Sequence, residues 1–293
     1  MNPPRTPCAS SVMRRCAREW LVPAVRVGPI LLALWTGGAR ADTTVHACFD
    51  ERSDSPDLRR SAKGEWQGAM HELVHQAFSR AGLKLIAHPL PWGRCQKQVE
   101  EFSGKAGQAE LFFPASLSDE RKRLFLASVP LQVKQNGVWY LRSRLGELPA
   151  MSRITDLNRY QLCGRLNHNH QWLRQHGLNV RDLGAPSLAS ALAKLELGRC
   201  DMALASREEV VDAETAGLLP ANEDRRFMPY PQHGLVAHYL LWSRGAARAE
   251  AKLARVNAAL AALRADGTAA AIFRRHGVSA QPLPVKLPAE AVR

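Results

Sequence analysis

Between Val45 and Pro114 the apolar residues change period repeatedly, and the stretch from Trp66 is the clearest case. Met70, Leu73, Val74, Ala77, Phe78 and Ala81 recur at i, i+3, i+4, i+7, i+8 and i+11. That spacing puts them on one face of an α-helix, which Gly82 stops. Short apolar runs at 45–49, 83–90 and 109–114 read as strands, with a second helix over 93–102. A strand followed by a helix and then another strand in one sheet runs parallel to the first, because the crossover returns the chain to the same end. The order β-α-β-α-β therefore predicts a mostly parallel sheet with helices on its faces.

The order then recurs. After an extended stretch (131–142) and a polar segment (143–155) come a strand (161–166), a helix (171–176), a strand (180–183), a helix opened by Pro186-Ser187 and a strand (201–205). Two α/β units in series, each of about 90 residues, predict two lobes rather than one sheet. A further extended segment (234–242) precedes two helices, 249–265 and 268–276, and a proline-bearing tail.

Ahead of these units lies a segment of another kind. Arg14, Arg15, Arg18 and Arg26 precede the apolar run 27–35, and small residues end in Ala39-Arg40-Ala41. This is the pattern of a secretory signal with an A-x-A cleavage site, so residues 1–41 are expected to leave and the mature chain to begin at Asp42. Met13 is a second possible start, giving a shorter leader. The apolar run is well short of the roughly 20 residues of a spanning helix. The expectation is a monomer in the periplasm with no membrane insertion.

The chain's net charge of +13 falls to +8 without the leader's six cations and one anion. A basic balance suits nucleic acid when cations cluster beside aromatics. Here the basic residues are scattered and aromatics make up 6% of the chain, so nucleic acid is not an expected partner. Cys8 and Cys16 leave with the signal. Cys48, Cys95, Cys163 and Cys200 remain, an even number that predicts two disulfides with three connectivities open. No Cys/His spacing argues for a structural zinc, and no metal or cofactor is expected.

Four stretches in order, ELVHQAFSRAGLKL (72–85), LFFPASLSDERKRLFLASVPL (111–131), ALAKLELGRCDMALA (191–205) and LARVNAALAALRADGTAAAIFRRHG (253–277), carry a resemblance. Together they resemble the family 3 solute-binding proteins, the periplasmic receptors of polar amino-acid ABC importers. The resemblance implies a two-lobed α/β fold, each lobe a mostly parallel sheet flanked by helices, joined by two crossover strands near 130–140 and 228–240. Lobe 1 would comprise 42–133 and 235–278, lobe 2 would comprise 134–234, and 279–293 would be a loose tail. It further implies a binding protein rather than an enzyme, a small-molecule solute in the interlobe cleft, and an ABC permease as partner.

In that family a Ser-x-Ser/Thr-x-x-Arg segment holds the ligand's carboxylate, and here it falls on Ser116, Ser118 and Arg121. The chemistry is sound independently. A strand turning into a helix start offers free N–H groups, and a guanidinium offers a fork matched to two carboxylate oxygens. A capping box of Ser116 with Asp119, followed by a solvated charge run, is the plainer alternative. Asp50, at the end of the first strand, matches a position that contacts the ligand's side chain or amine. Trp92 and Arg94 enter the second helix on the cleft side, where an aromatic face and a cation suit a ligand. Cys48 should meet Cys95 near this turn, and Cys163 should meet Cys200 on adjacent strands.

The match departs in the second lobe. Where the family has a Gly-Thr-like turn this chain reads Asn167-His168-Asn169-His170, and where it has the aspartate that holds an ammonium this chain has Ser206, followed by Arg207, Glu208 and Glu209. Asn169, His170 and Ser206 are the expected contacts from that side. The solute is expected to be anionic or zwitterionic, an amino acid or related organic acid. Three other readings remain. Some relatives of these receptors are periplasmic dehydratases, for which Asp50, Glu208, His168 and His170 are the candidate acids and bases. His71-Glu72-Leu73-Val74-His75 matches the HExxH of zinc metalloproteases, although His71 and His75 flank the core stripe and Glu72 lies nearly opposite it. A sensory binding module without a permease is the third alternative.

Overall fold

The computed structural model describes residues 43–279 except Asn167, Asn169, Gln232 and His233. The expected leader, the tail beyond Ser279 and the candidate contact Asn169 lie outside the described residues. The chain opens with β1 (Thr44–Asp50), the small hairpin β2 (Arg59–Arg60) and β3 (Trp66–Gln67), then α1 (Ala69–Arg80), β4 (Lys84–Leu90), α2 (Trp92–Glu100), β5 (Leu111–Ser116), α3 (Asp119–Leu124) and β6 (Phe125–Ala127). It crosses on β7 (Gln132–Leu141) and continues through α4 (Arg142–Leu145), a 3-10 turn at Ile154–Arg159, β8 (Leu162–Arg165), α5 (Gln171–Gln175), β9 (Asp182–Ala185), α6 (Leu188–Glu196), β10 (Met202–Ser206), α7 (Arg207–Thr215) and β11 (Arg225–Pro229). It returns on β12 (Leu235–Ser243) and ends with α8 (Ala249–Ala265) and α9 (Thr268–Arg275).

The long sheet has the order β4-β1-β5-β12-β7-β10-β8-β9. β4, β1 and β5 are parallel, as are β10, β8 and β9, each set joined by helical crossovers. β7 and β12 run antiparallel to each other and link the two sets. β7 divides its partners: Gln132–Gln135 pair with β12, and Asn136–Leu141 pair with β10 and β11. This is the expected architecture, two mostly parallel half-sheets with two strands passing between them.

Each half has its own apolar interior. In the first, α1, α8 and α9 bury Met70, Phe78, Val256, Leu260 and Ile272 against Phe49, Phe113 and Trp242. Cys48, Cys95, Phe112, Phe125 and Tyr239 fill the opposite face. In the second half, Leu192, Leu195, Ala203 and Val210 pack on one face and Leu162, Leu173, Met202 and Leu204 on the other. Both expected disulfides form, Cys48–Cys95 and Cys163–Cys200. They close loops of 47 and 37 residues, which in the chain-entropy picture stabilises the fold by roughly 4 kcal/mol each.

Two local departures from expectation have physical causes. α1 starts at Ala69 and not Trp66, because Trp66–Gln67 pair with Arg59–Arg60 and Gly68 turns the chain at φ 128°. A Cβ at Gly68 would come within 2.4 Å of the Asp57 carbonyl oxygen, so only glycine permits this approach. The second departure is α7, a helix absent from the periodicity. Its buried positions are Glu208, Val210, Asp212 and Ala213, so half of its inner face is acidic. Ser279, placed by sequence in the tail, is held against this helix: its N–H donates to Asp212 Oδ2 at 3.0 Å and its hydroxyl to Oδ1.

Candidate functional site

The carboxyl ends of β1 and β5 from the first half and of β8 and β10 from the second open onto one cavity of about 240 Å³. Open α/β sheets place ligands at such strand ends. Its wall includes Asp50, Trp92, Ser116 and Arg121 from the first half, Arg165, His168, His170, Ser206 and Glu209 from the second, and Gln132, Lys134, Asn136 and His238 from the crossover strands. Cys48–Cys95 ties the end of β1 to α2 and so fixes Asp50 relative to Trp92.

Arg121 is 9% exposed. Its Nη1 donates to the Ser116 carbonyl at 2.8 Å, its Nη2 donates to Gln96 Oε1, and the guanidinium lies 5.8 Å from the Phe112 ring centre. No carboxylate pairs with it among the described residues. Burial pushes its pKa down to about 10, with Glu120 opposing, so it stays cationic at neutral pH. Ser118 is the N-cap of α3, its hydroxyl accepting from the Arg121 N–H at 3.2 Å. The cap is thus Ser118, not Ser116 with Asp119, and Ser118 is outside the cavity wall. Lys122 and Arg123 do not line it.

Trp92 packs edge-on to Phe112 with centroids 5.5 Å apart and contributes to the wall. Arg94 is exposed and does not line the cavity, because the first turn of α2 turns Trp92 to the wall and Gln96 to Arg121 while position 94 faces outward. Asp50 is half-buried, accepts from the Arg52 N–H at 3.1 Å, and burial raises its pKa.

On the opposite side Ser206 and Glu209 form a capping box: the serine hydroxyl accepts from the Glu209 N–H and donates to Oε2 at 3.0 Å. The same Oε2 takes Arg165 Nη2 at 2.8 Å. Burial alone would raise the Glu209 carboxyl, but Arg165 and Lys134 outweigh it and hold the group well below the usual carboxylate range. His170 Nε2 donates to the Arg165 carbonyl at 3.0 Å. Glu209 and Arg165 were absent from the expected contacts, although Ser-Arg-Glu-Glu at 206–209 spells the box that brings the glutamate inward. Gln96 carried no signal beyond its place one turn after Trp92. Glu208, a candidate acid, instead accepts from the Gln135 N–H at 2.8 Å and is not in the wall.

Burial keeps the cavity histidines neutral. It pushes His168 well below its ordinary value, with Arg165 adding to the effect, and lowers His170. Burial followed by Lys134 takes His238 from 6.5 to about 4. Burial followed by His75 takes His71, outside the cavity, from 6.5 to about 4. Groups whose folded pKa is depressed leave the unfolded chain binding more protons between about pH 4 and 6.5, so stability is full above that window and falls through it. Each such histidine contributes at most roughly 1.4 kcal/mol per pH unit there. The urea midpoint should therefore drop steadily between pH 7 and pH 4.5, and His238→Gln should flatten the slope; an unchanged slope in the variant would count against this assignment.

The HELVH helix lies elsewhere. The His71 and His75 rings are 4.3 Å apart, while Glu72 is taken by His276 at 2.8 Å, by Arg275 and by Gln76 at 3.0 Å. No three metal-ligating side chains are grouped among the described residues. No helix among them is long and apolar enough to cross a membrane.

No family model matches the sequence, and no curated protein is similar to it by sequence. Solved structures are similar in fold. One is the substrate-binding protein of an ABC uptake transporter from Streptococcus pneumoniae with bound histidine, 16% identical over 80% of this chain and 92% of that chain, TM-score 0.64. A histidine kinase sensor domain with similarity to periplasmic binding proteins is 20% identical over 81% and 96%, TM-score 0.63. An ancestral amino-acid-binding protein, a precursor of cyclohexadienyl dehydratase, is 15% identical over 80% and 97%, TM-score 0.62. At these identities the likeness carries the fold: the chain has the two-lobed fold of the periplasmic binding proteins.

Proposed function

We propose that the chain is a periplasmic solute-binding protein that captures a small anionic or zwitterionic solute in this cavity for an ABC-type importer. The observation that carries the reading is Arg121, a buried guanidinium in the cavity wall with only neutral acceptors around it. A carboxylate reaching it gains a charge-assisted bond in a low-dielectric setting. Asp50, Trp92 and Ser116 would frame the solute from one lobe, and His170, Ser206 and Arg165 from the other. Closure would bend the crossovers where β7 changes partners, between Gln135 and Asn136, and ahead of β12, so that 42–133 with 235–278 moves against 134–234.

The test is native mass spectrometry of the purified mature chain, followed by a thermal-shift screen of amino and organic acids. A solute at 100 times its Kd should stabilise the fold by about 2.7 kcal/mol. No co-purifying solute and no compound that shifts Tm would sink the proposal. A second reading, an enzyme on the same fold, is favoured by the dehydratase precursor among the similar structures and by the raised Asp50 carboxyl. A half-buried carboxyl beside Arg165 could serve as an acid. Conversion of a bound solute by purified protein, followed by NMR, would establish that reading; recovery of the solute unchanged would exclude it.

A further inference from the structure

We infer that the solute is a carboxylate without an ammonium group, because the buried acids of the cavity wall already hold resident cations, while its buried guanidinium, Arg121, has no resident anion among the described residues. The inference rests on the binding-protein reading above and narrows it. Four acids line the cavity: Asp50, Asp54, Asp57 and Glu209. Asp57 pairs with Lys134 at 2.5 Å and also accepts from Gln132 at 3.2 Å. Glu209 receives Arg165 at 2.8 Å and the Ser206 hydroxyl at 3.0 Å, both on Oε2. A solute ammonium beside either carboxylate would stand next to a fixed cation, and its attraction to the acid would be offset by that repulsion. Asp54 is exposed at the rim. Asp50 is the remaining acid. It is half-buried, accepts from the Arg52 N–H at 3.1 Å, and the charges of Arg165 and Arg52 already act on it, so an arriving ammonium would meet resident cations there too.

The cation inventory is the reverse. Arg52 is exposed, and Lys134 and Arg165 have carboxylate partners. Arg121 has the Ser116 carbonyl and the Gln96 amide, which satisfy donors without neutralising charge. The wall is thus complementary to a net negative solute. Trp92 on one side and Trp172, Leu173 and Tyr230 on the other add apolar surface to an otherwise polar wall, enough to take a hydrocarbon or aromatic body attached to the carboxylate.

Isothermal titration of the mature chain with matched pairs separates the cases: 3-phenylpropanoate against L-phenylalanine, 4-methylpentanoate against L-leucine, and glutarate against L-glutamate. The expected result is that the acid lacking the amine binds at least tenfold more tightly in any pair that binds. Arg165→Gln, which removes the resident cation from Glu209, should move the preference at least tenfold toward the amino acid. Equal or tighter binding of the amino acids by the unaltered chain overturns the inference and leaves the binding-protein reading standing. Absence of binding in every pair at millimolar solute overturns both. If Arg165→Gln fails to fold, the pairs on the unaltered chain still decide.

Discussion

Replacing Arg121 with alanine should weaken solute binding by about 2–4 kcal/mol, roughly 30- to 1000-fold. The magnitude follows from burial. The guanidinium is 9% exposed and keeps its charge at neutral pH even though burial lowers its pKa to about 10. A carboxylate drawn into the cavity of the alanine variant would lose its counter-charge and its bidentate donor together. The fold should tolerate the change, because Arg121 makes no ion pair among the described residues and its backbone N–H, which the Ser118 cap uses, is retained in alanine. Tm of the unliganded variant should therefore stay close to that of the parent while titration shows the loss. Arg121→Lys should recover only part of it, since an ammonium keeps the charge without the planar fork. An affinity within about threefold of the parent would remove Arg121 from the site.

How much of this was legible in the sequence depends on what each residue does with its side chain. The stripe through Met70, Leu73, Val74, Ala77 and Phe78 announced α1 because all five are in the apolar interior. α7 stayed hidden because Glu208 and Asp212 occupy its buried face, and acids buried through hydrogen bonds to Gln135 and Ser279 carry no hydrophobic period. The same contrast holds at the cavity. Arg121, Asp50 and Trp92 could be placed because strand ends and a helix start fix their positions. Arg165 and Glu209 meet only through folding, 44 residues apart in sequence, and no local pattern records a pair of that kind. Arg94 shows the converse: the dipeptide Trp92-Gly93 locates the turn correctly, but one residue of rotation along α2 decides which side chain faces inward.

Lys134→Met should destabilise the fold by about 3–5 kcal/mol. Lys134 lies on β7 in the stretch paired with β12, and Asp57 belongs to the loop that follows β1. Their side chains are 6% and 7% exposed and 2.5 Å apart. Methionine fills a similar volume, so the loss measures charge, not packing: Asp57 would be left buried with Gln132 as its remaining donor, and its Oδ1 already has no partner. Burial would lower the pKa of the lysine, but Asp57 and Glu209 together raise it above the usual value. A raised lysine contributes stability that is complete below the ordinary lysine range and is lost as pH rises through the raised value, so the pair is fully in place at neutral pH. Replacing both partners, Lys134→Met with Asp57→Leu, should restore most of the stability, because the stranded charge is then removed along with its counter-ion. Urea midpoints of the parent, the two single variants and the double variant close the cycle. A Lys134→Met loss under about 1 kcal/mol would mean that water reaches Asp57, and that this crossover strand is not anchored to the first half by a buried pair.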